Sequence, residues 1–178
     1  SKKKKLTIVP SQNEQGASLA ADAYYRVSGK LGVVVVTSGP GAINSLQGLA
    51  CSFYDSIPSL YITGAPVTKA LKKNQNLRQL GFQEMEIKKI VSSFTKYAVR
   101  ITDVKKISYE IDKCVYLSQS GRPGPCLIDI PDDIQRMDTN LREQKKFYNL
   151  KSKIFLNQKH VQKTTEMIKK SKKPIFLI

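Results

Sequence analysis

Residues 32–42 read Gly-Val-Val-Val-Val-Thr-Ser-Gly-Pro-Gly-Ala. Four consecutive valines are typical of a strand that is buried on both faces, as in a parallel sheet covered by helices. The Gly-Pro-Gly that follows predicts a tight turn into a helix of about residues 42–54. The stretch therefore predicts an α/β fold, with this turn at the carboxyl end of a strand, where the ligands of such sheets gather.

The alternation of strand and helix continues on both sides of this stretch. Upstream, the pattern predicts a short strand at residues 6–10 and a helix at 11–28 that Gly29 stops. Downstream, it predicts strands at 58–63, 93–100 and 126–130, and helices near 85–90 and at 104–119. This order indicates a mostly parallel sheet with helices on both faces.

The amino-acid composition excludes several classes of protein and several kinds of active-site chemistry. The chain has 178 residues, 40% hydrophobic and 25% charged, which suits one domain and part of another. Its apolar stretches are far shorter than the ~20 residues of a membrane helix, and no signal peptide precedes them, so we expect a cytoplasmic location and no membrane contact. The single histidine, His160, and three scattered cysteines exclude metal clusters, disulfide frameworks and imidazole-based triads. We expect free core thiols, and any chemistry must come from carboxylates or a cofactor.

The formal net charge of +16 raises the hypothesis of nucleic-acid binding. Most of this charge lies outside the motifs, because residues 2–5 are all lysine and residues 141–178 carry 11 Lys and Arg against 2 Asp and Glu. Lysines on helix faces are usually solvated, and no RNA-binding aromatic signature is present. Nucleic acid is therefore a less favoured partner than a small molecule.

Three groups of residues are candidates for function. The Gly-Pro-Gly turn with Asn44 matches neither a Walker A loop nor G-x-G-x-x-G, so a tight turn without a ligand and a binding loop are both typical of it. Glu14 stands three residues after Ser11, the spacing of a helix capping box, so a structural role competes with a chemical one. Phe82 and Gln83, in Gly-Phe-Gln-Glu, are either packed on the core or lie beside a pocket.

These residues together resemble the pyrimidine-binding domain of thiamine-diphosphate-dependent decarboxylases and carboligases of the acetolactate synthase group. The resemblance runs from about residue 6 to residue 135. It is specific because many blocks recur in order, among them Asn-Glu-Gln-Gly at 13–16, Thr-Ser-Gly-Pro-Gly-Ala at 37–42, Phe-Gln-Glu at 82–84 and Ser-Gly-Arg-Pro-Gly-Pro at 120–125. It implies the thiamine-diphosphate-binding fold of pyrimidine type.

The resemblance implies a role for each candidate. Glu14 is implied to be catalytic, hydrogen-bonding N1′ of the cofactor's aminopyrimidine so that the thiazolium C2 can lose its proton. Pro40, Gly41 and Asn44 are implied to cradle the pyrimidine half of the cofactor. Phe82 and Gln83 are implied to approach the substrate from the neighbouring subunit of a homodimer or homotetramer. Arg122 and Asp129, in contrast, are interpreted as structural.

The resemblance also implies what lies elsewhere in such an enzyme. The family's Gly-Asp-Gly…Asn motif for Mg²⁺ and diphosphate does not occur here, so the metal ligands are expected outside this chain and none within it. The family's first strand and helix are expected upstream of Leu6. Residues 1–135 then form the pyrimidine-binding domain, 136–150 a linker, and 151–178 the start of a truncated middle domain with a basic helix at 154–171 and a strand at 174–178. Some relatives bind FAD through a middle domain, but nothing in the sequence supports FAD.

The functional hypothesis is the N-terminal part of a thiamine-diphosphate-dependent 2-keto acid decarboxylase or carboligase, inactive as this fragment alone. Two alternatives stay open. A non-catalytic binding or scaffold module could keep the same domain shape, although the presence of Glu14 argues against it. A basic nucleic-acid-binding protein would use the lysine-rich ends, with binding that falls steeply as salt rises.

Overall fold

A computed structural model describes residues 6–71, 76–139, 147 and 157–175. The chain divides into two units, residues 1–147 and 148–178. The described elements of the first unit are, in order, α1 (Glu14–Ser28), β1 (Gly32–Val36), α2 (Pro40–Asn44), α3 (Leu46–Tyr54), β2 (Ser59–Ala65), α4 (Ile87–Val91), β3 (Tyr97–Arg100), α5 (Ile107–Gln119), β4 (Pro125–Pro131) and α6 (Asp132–Arg136), with 3₁₀ turns at Thr68–Ala70 and Val104–Lys106. The second unit contains α7 (Gln158–Lys170).

The four strands form one parallel sheet in the order β1-β2-β4-β3. Successive strands are connected through helices, so the amino ends of the helices and the carboxyl ends of the strands meet at one edge. Near that edge the register aligns Val36, Thr63, Asp129 and Arg100 in a single row across all four strands. The sheet confirms the predicted α/β fold.

Two hydrophobic cores flank the sheet, because alternate residues of each strand point to opposite faces. On one face, α1, α3 and α4 cover a cluster that includes Val34, Tyr61 and Leu127. On the other, α5 and α6 cover a cluster that includes Cys126 and Ile128. Helices therefore lie on both faces, as the sequence predicts.

A buried carboxylate joins α1 to α3. Asp22 is 6% exposed, and its two oxygens accept hydrogen bonds from Arg26 Nε at 2.5 Å and from Ser52 Oγ at 2.8 Å. A buried charge is tolerated only when it is paired in this way. The network fixes the α1 axis against α3, and so fixes where the amino end of α1 lies.

The start of α1 differs from the predicted capping box. Asn13, not Ser11, is the N-cap, and its side chain accepts from Gly16 N at 2.7 Å. Asparagine is as good a cap as serine, and here it directly precedes the first helical residue, Glu14. Glu14 is therefore not needed for the reciprocal bond of a capping box, while Gly29 ends the helix as predicted.

The first strand corrects two further expectations. Val33 and Val35 are 53% and 72% exposed, so β1 is buried on one face only. The physical reason is its edge position, where α1 and α3 cover one face and α5 covers the strands further along. The predicted strand at residues 6–10 is also wrong, since these residues are exposed and join no strand ladder within the part of the chain that the structure describes.

Other boundaries shift by a few residues. The single helix predicted at 42–54 is two helices, α2 and α3, divided at Ser45, whose hydroxyl donates to the Ala42 carbonyl at 2.7 Å. The strand predicted at 93–100 is shorter, and the helix predicted from 104 begins with a 3₁₀ turn. The basic helix predicted at 154–171 corresponds to α7, although residues 151–156 and 176–178, which include most of the predicted last strand, lie outside the described residues.

Ile128 tests the central position of β4. Its side chain is fully buried, so Ile128→Ala should lower the free energy of unfolding by about 2–5 kcal/mol through lost burial and the cavity left behind. Urea denaturation measures this change. Val27→Ala, at a position 90% exposed, is the control and should change stability by no more than about 0.5 kcal/mol. Equal effects from the two variants would contradict the observed packing.

Candidate functional site

The candidate site is built where α1 begins and β1 ends. Glu14 is the first residue of α1, and Asn44 is the last residue of α2, which follows β1 after a short turn. The Asn44 amide Nδ2 donates to Glu14 Oε2 at 2.8 Å. The parallel fold thus brings together two candidates that are thirty residues apart in sequence.

Gly41 lies directly against this carboxylate. A Cβ built on Gly41 would be 3.0 Å from Glu14 Oε1 and 2.5 Å from Thr37 Cγ2. Any side chain at this position would therefore displace one of the two. A glycine here lets the backbone of the turn approach the Glu14 carboxylate closely.

The environment favours the ionised form of Glu14. The hydrogen bond from Asn44 lowers its pKa below the usual range, and a backbone N–H at the start of α1 acts in the same direction. Partial burial acts in the opposite direction and is the weaker influence. The Asn44 hydrogen bond and the backbone N–H together outweigh burial, so the anion is favoured in this structure.

A second loop packs on the same turn. Gly39 has φ +59°, and a Cβ at this position would be 2.5 Å from the Gln83 carbonyl oxygen. Gln83 itself has φ +54°, a left-handed conformation that is uncommon outside glycine. The loop that carries Phe82 and Gln83 therefore reaches the Gly-Pro-Gly turn through a close backbone contact.

The predicted site residues thus form one group with different degrees of contact. Glu14, Gly41 and Asn44 are in direct contact, and exposed Pro40 begins α2 beside them. Gln83 is half-buried against the turn, whereas Phe82 is 84% exposed. Of the two interpretations of Phe82, packing on the core of its own chain is therefore wrong, because its side chain is mostly exposed and belongs to neither hydrophobic cluster.

A cleft of about 300 Å³ lies along the carboxyl ends of β1, β2 and β4. Its walls include Thr37, Ser38, Gly64 and Gln135, and Gln135 Nε2 donates to the Ile130 carbonyl at 2.7 Å. Sequence reasoning did not single these residues out. The signal that could have found them is position, since three of the four come at or just after the carboxyl end of a strand.

The residues interpreted as structural have structural partners. Arg122 donates to Ser56 Oγ at 2.7 Å and to the Tyr54 carbonyl, holding the turn before β2. Asp129 is 1% exposed and pairs with Arg100. The three cysteines are free, with Cys114 and Cys126 buried, but Cys51 is exposed on α3 and so is not a core thiol.

Within residues 6–71, 76–139, 147 and 157–175, no three side chains of the types that hold metals come together. Among the helices in those same ranges, none has the length and apolar character needed to cross a membrane.

Comparison with known proteins identifies the family. The family model described as "Thiamine pyrophosphate enzyme, N-terminal TPP binding domain" matches residues 1–90, which contain the Glu14–Asn44 pair and the Phe82 loop. The chain belongs to this family. Its relatives place it in the acetolactate synthase group.

Three relatives show how far the similarity extends. The chain is 34% identical over 171 residues to "Acetolactate synthase, chloroplastic" of Arabidopsis thaliana, covering 94% of this chain and 25% of that protein. It is 39% identical over 128 residues to "Acetolactate synthase large subunit" of Lactococcus lactis, covering 72% and 21%. It is 40% identical over 130 residues to "Acetolactate synthase catalytic subunit, mitochondrial" of Saccharomyces cerevisiae, covering 73% and 18%. The chain spans a quarter or less of the length of these relatives.

Removal of the Asn44–Glu14 hydrogen bond should change the pKa of Glu14. Asn44→Ala removes the donor that stabilises the Glu14 anion, so the pKa of Glu14 should rise toward its ordinary value. A pH titration of the Glu14 side-chain carboxyl by ¹³C NMR measures it. Gln47→Ala, which removes an α3 amide that is bonded to Gln15 instead, should leave the titration unchanged. A Glu14 pKa that is the same in all three proteins would show that the bond does not exist in solution.

Substitution of Gly39 tests how closely Gln83 packs on the Gly-Pro-Gly turn. Gly39→Ala places a Cβ against Gln83 in a left-handed backbone conformation, which costs at least about 1 kcal/mol before any clash is counted. The free energy of unfolding should fall by that amount or more. Gly121→Ala is the matched control, because it has the same sign of φ with no atom within 4 Å of the added Cβ, so its loss should be smaller. Equal losses would indicate that Gln83 does not pack on Gly39.

Proposed function

We propose that this chain is the pyrimidine-binding part of a thiamine-diphosphate-dependent enzyme that decarboxylates a 2-keto acid and joins the remaining acyl carbon to an acceptor. The observation that carries the proposal is the Glu14 carboxylate, held by Asn44 against the Gly41 turn inside the family match. The relatives named acetolactate synthase support this type of reaction.

The donor set fits the aminopyrimidine of the cofactor. Oε2 of Glu14 is engaged by Asn44, so we assign the hydrogen bond to ring nitrogen N1′ to Oε1, the oxygen that faces Gly41. Asn44 fixes the orientation of the carboxylate and stabilises its charge, and the bare Gly41 backbone leaves room for a flat ring. When bound, thiamine diphosphate supplies the base and the electron sink that the histidine-poor chain lacks.

The remaining cradle residues act by shape. Pro40 fixes the backbone at the first residue of α2 and presents its ring to solvent at the turn. Together with Gly41 and Asn44 it would hold the pyrimidine half of the cofactor in one position. Orientation of this kind is a large part of what a protein contributes to cofactor chemistry.

Phe82 and Gln83 are proposed as substrate-side residues. Phe82 extends into solvent from a loop that is itself packed on the Gly39 turn, so it is placed to face a partner rather than its own core. This arrangement supports a site completed across a homodimer or homotetramer. Mg²⁺ and the diphosphate would then be held by residues outside those described here.

The proposal extends to domain organisation and location. Residues 1–135 would form the pyrimidine-binding domain, 136–150 a linker and 151–178 the start of a middle domain. Separation of residues 148–178 into their own unit supports a boundary in this region. A cytoplasmic location stays a proposal, because the relatives include proteins named chloroplastic and mitochondrial as well as one named without an organelle.

Substitution of Glu14 tests the catalytic role. In the protein that contains this chain, Glu14→Gln should slow C2–H/D exchange of bound thiamine diphosphate by about 10²-fold or more, because an amide cannot exchange a proton with N1′ as a carboxyl can. Exchange is followed by ¹H NMR after quenching. Affinity for the cofactor should change much less than the rate.

Glu110→Gln is the matched control for this experiment. It makes the same change of atoms in a carboxylate that accepts from Tyr97 OH at 2.9 Å, on α5 at the opposite face of the sheet. This variant should exchange at the wild-type rate. Wild-type exchange in Glu14→Gln would contradict the assignment, and a wild-type rate no faster than that of free thiamine diphosphate would favour a non-catalytic module of the same shape.

A further inference from the structure

Arg100 connects the sheet to the substrate-side loop. It is the last residue of β3, and its side chain is only 13% exposed. Its guanidinium makes three contacts at once: Nε donates to Asp129 Oδ2 at 2.6 Å, Nη1 to Glu86 Oε1 at 3.0 Å, and Nη2 to the Met85 carbonyl at 2.8 Å. One contact is on the sheet, and the other two are on the segment that follows Phe82 and Gln83.

The sheet side of this connection is rigid. Asp129 is 1% exposed on the fully buried strand β4, and it also accepts from Thr63 Oγ1 at 2.8 Å. Thr63, Asp129 and Arg100 are register partners on three neighbouring strands. Arg100 therefore extends from a row of side chains that cannot move unless the sheet does.

The loop that Arg100 contacts is also held by its own polar and backbone contacts. The carboxylate of Glu84, which is 7% exposed, accepts from the backbone N–H groups of Leu80 at 2.6 Å and Gly81 at 3.3 Å, which closes the loop on itself. Gln83 has a left-handed backbone and packs on Gly39. The Glu84 contacts fix the shape of the loop, and the Gln83–Gly39 contact holds its tip against the turn. Arg100 adds an ionic link between the loop and the strands.

The loop has little hydrophobic burial to hold its tip in place, since Phe82 is 84% exposed. A fixed direction for Phe82 therefore has to come from polar anchors at the base of the loop together with the contact between Gln83 and Gly39. A guanidinium suits this task because its planar fork satisfies several acceptors in one geometry, which a lysine cannot do.

We propose that Arg100 is a positioning residue that fixes the loop of residues 81–86 at the carboxyl edge of the sheet and thereby sets the fit of the 2-keto acid against Phe82 and Gln83. Arg100 does not touch substrate or cofactor in this scheme. The inference about the 2-keto acid rests on the proposed function, whereas the mechanical link between Arg100 and the loop does not.

Substituting lysine for Arg100 separates this role from simple charge balance. Arg100→Lys keeps a cation beside buried Asp129 but loses the fork that reaches Glu86 and the Met85 carbonyl. We expect amide hydrogen exchange at Gly81 and Glu84 to quicken about tenfold, as loss of a charge-assisted hydrogen bond allows. In the enzyme that contains this chain, KM for a 2-keto acid such as pyruvate should rise by a similar factor while kcat and the Kd of thiamine diphosphate change little.

Arg122→Lys is the matched control. Like Arg100, Arg122 donates to more than one acceptor. Its acceptors, a hydroxyl and a carbonyl, belong to the turn before β2, at the amino ends of the strands. This variant should leave both the loop exchange and KM at wild-type values. Arg100→Met, which removes the charge as well, should show the same loop and KM changes together with lower stability, because Asp129 is left buried and unpaired.

The outcomes are distinguishable. Unchanged exchange at Gly81 and Glu84 in Arg100→Lys would overturn the link between Arg100 and the loop. Faster exchange with unchanged KM would overturn the effect on substrate fit. A wild-type enzyme that processes no 2-keto acid would contradict the proposed function, and hydrogen exchange would still decide whether Arg100 holds the loop.

Discussion

The hydrogen bond from Asn44 to Glu14 is the contact on which the candidate site depends. It joins the first residue of α1 to the last residue of α2, so it exists only if the helix before β1 and the helix after it both present their ends at the carboxyl edge of the sheet. The buried Asp22–Ser52 contact sets the position of α1 against α3, and the Val34 side of β1 supplies the apolar surface beneath both helices. A carboxylate is thereby held at a defined point with one oxygen engaged and its anionic form favoured.

The surroundings of this carboxylate explain why so many small residues are found in the turn. Gly39 and Gly41 are both in places where a Cβ would meet another atom at 3 Å or less, the first against Gln83 and the second against Thr37 and Glu14. The turn is thus packed from two sides by backbone and short side chains. Close packing without bulky side chains gives a small, rigid surface, which is what orientation of a flat cofactor ring requires.

The sequence predicted the four strands of the sheet and the helices α1, α4 and α5, because most of their apolar runs end near glycine or proline, but it missed α6 and the division between α2 and α3. It also grouped Glu14, Gly41 and Asn44 through the order of the motifs, and the structure brings these three residues into contact. It could not predict that Val33 and Val35 are exposed, since a run of valines is compatible with an edge strand as well as with a central strand. It predicted a Ser11 cap from the capping-box spacing to Glu14, whereas the backbone shows that Asn13 directly precedes the helix. Arg100 was not singled out, because its role depends on register between strands that are far apart in sequence.

The residues of the candidate site carry none of the high positive charge, since Glu14, Gly41, Asn44 and Gln83 include no lysine or arginine. All of them lie in the first unit, in α1, in α2 and around Gln83. The match to the thiamine pyrophosphate enzyme family, over residues 1–90, contains all of them. Function is therefore best sought at the carboxyl edge of the sheet.

Direct contact between Glu14 and the pyrimidine ring is the central claim, and ¹⁵N NMR of thiamine diphosphate labelled at N1′ tests it most directly. Bound to the protein that contains this chain, N1′ should resonate well away from its free position, and Glu14→Gln should move the signal back toward that position while the cofactor stays bound. An N1′ resonance that is identical in the wild-type and Glu14→Gln proteins would contradict the account.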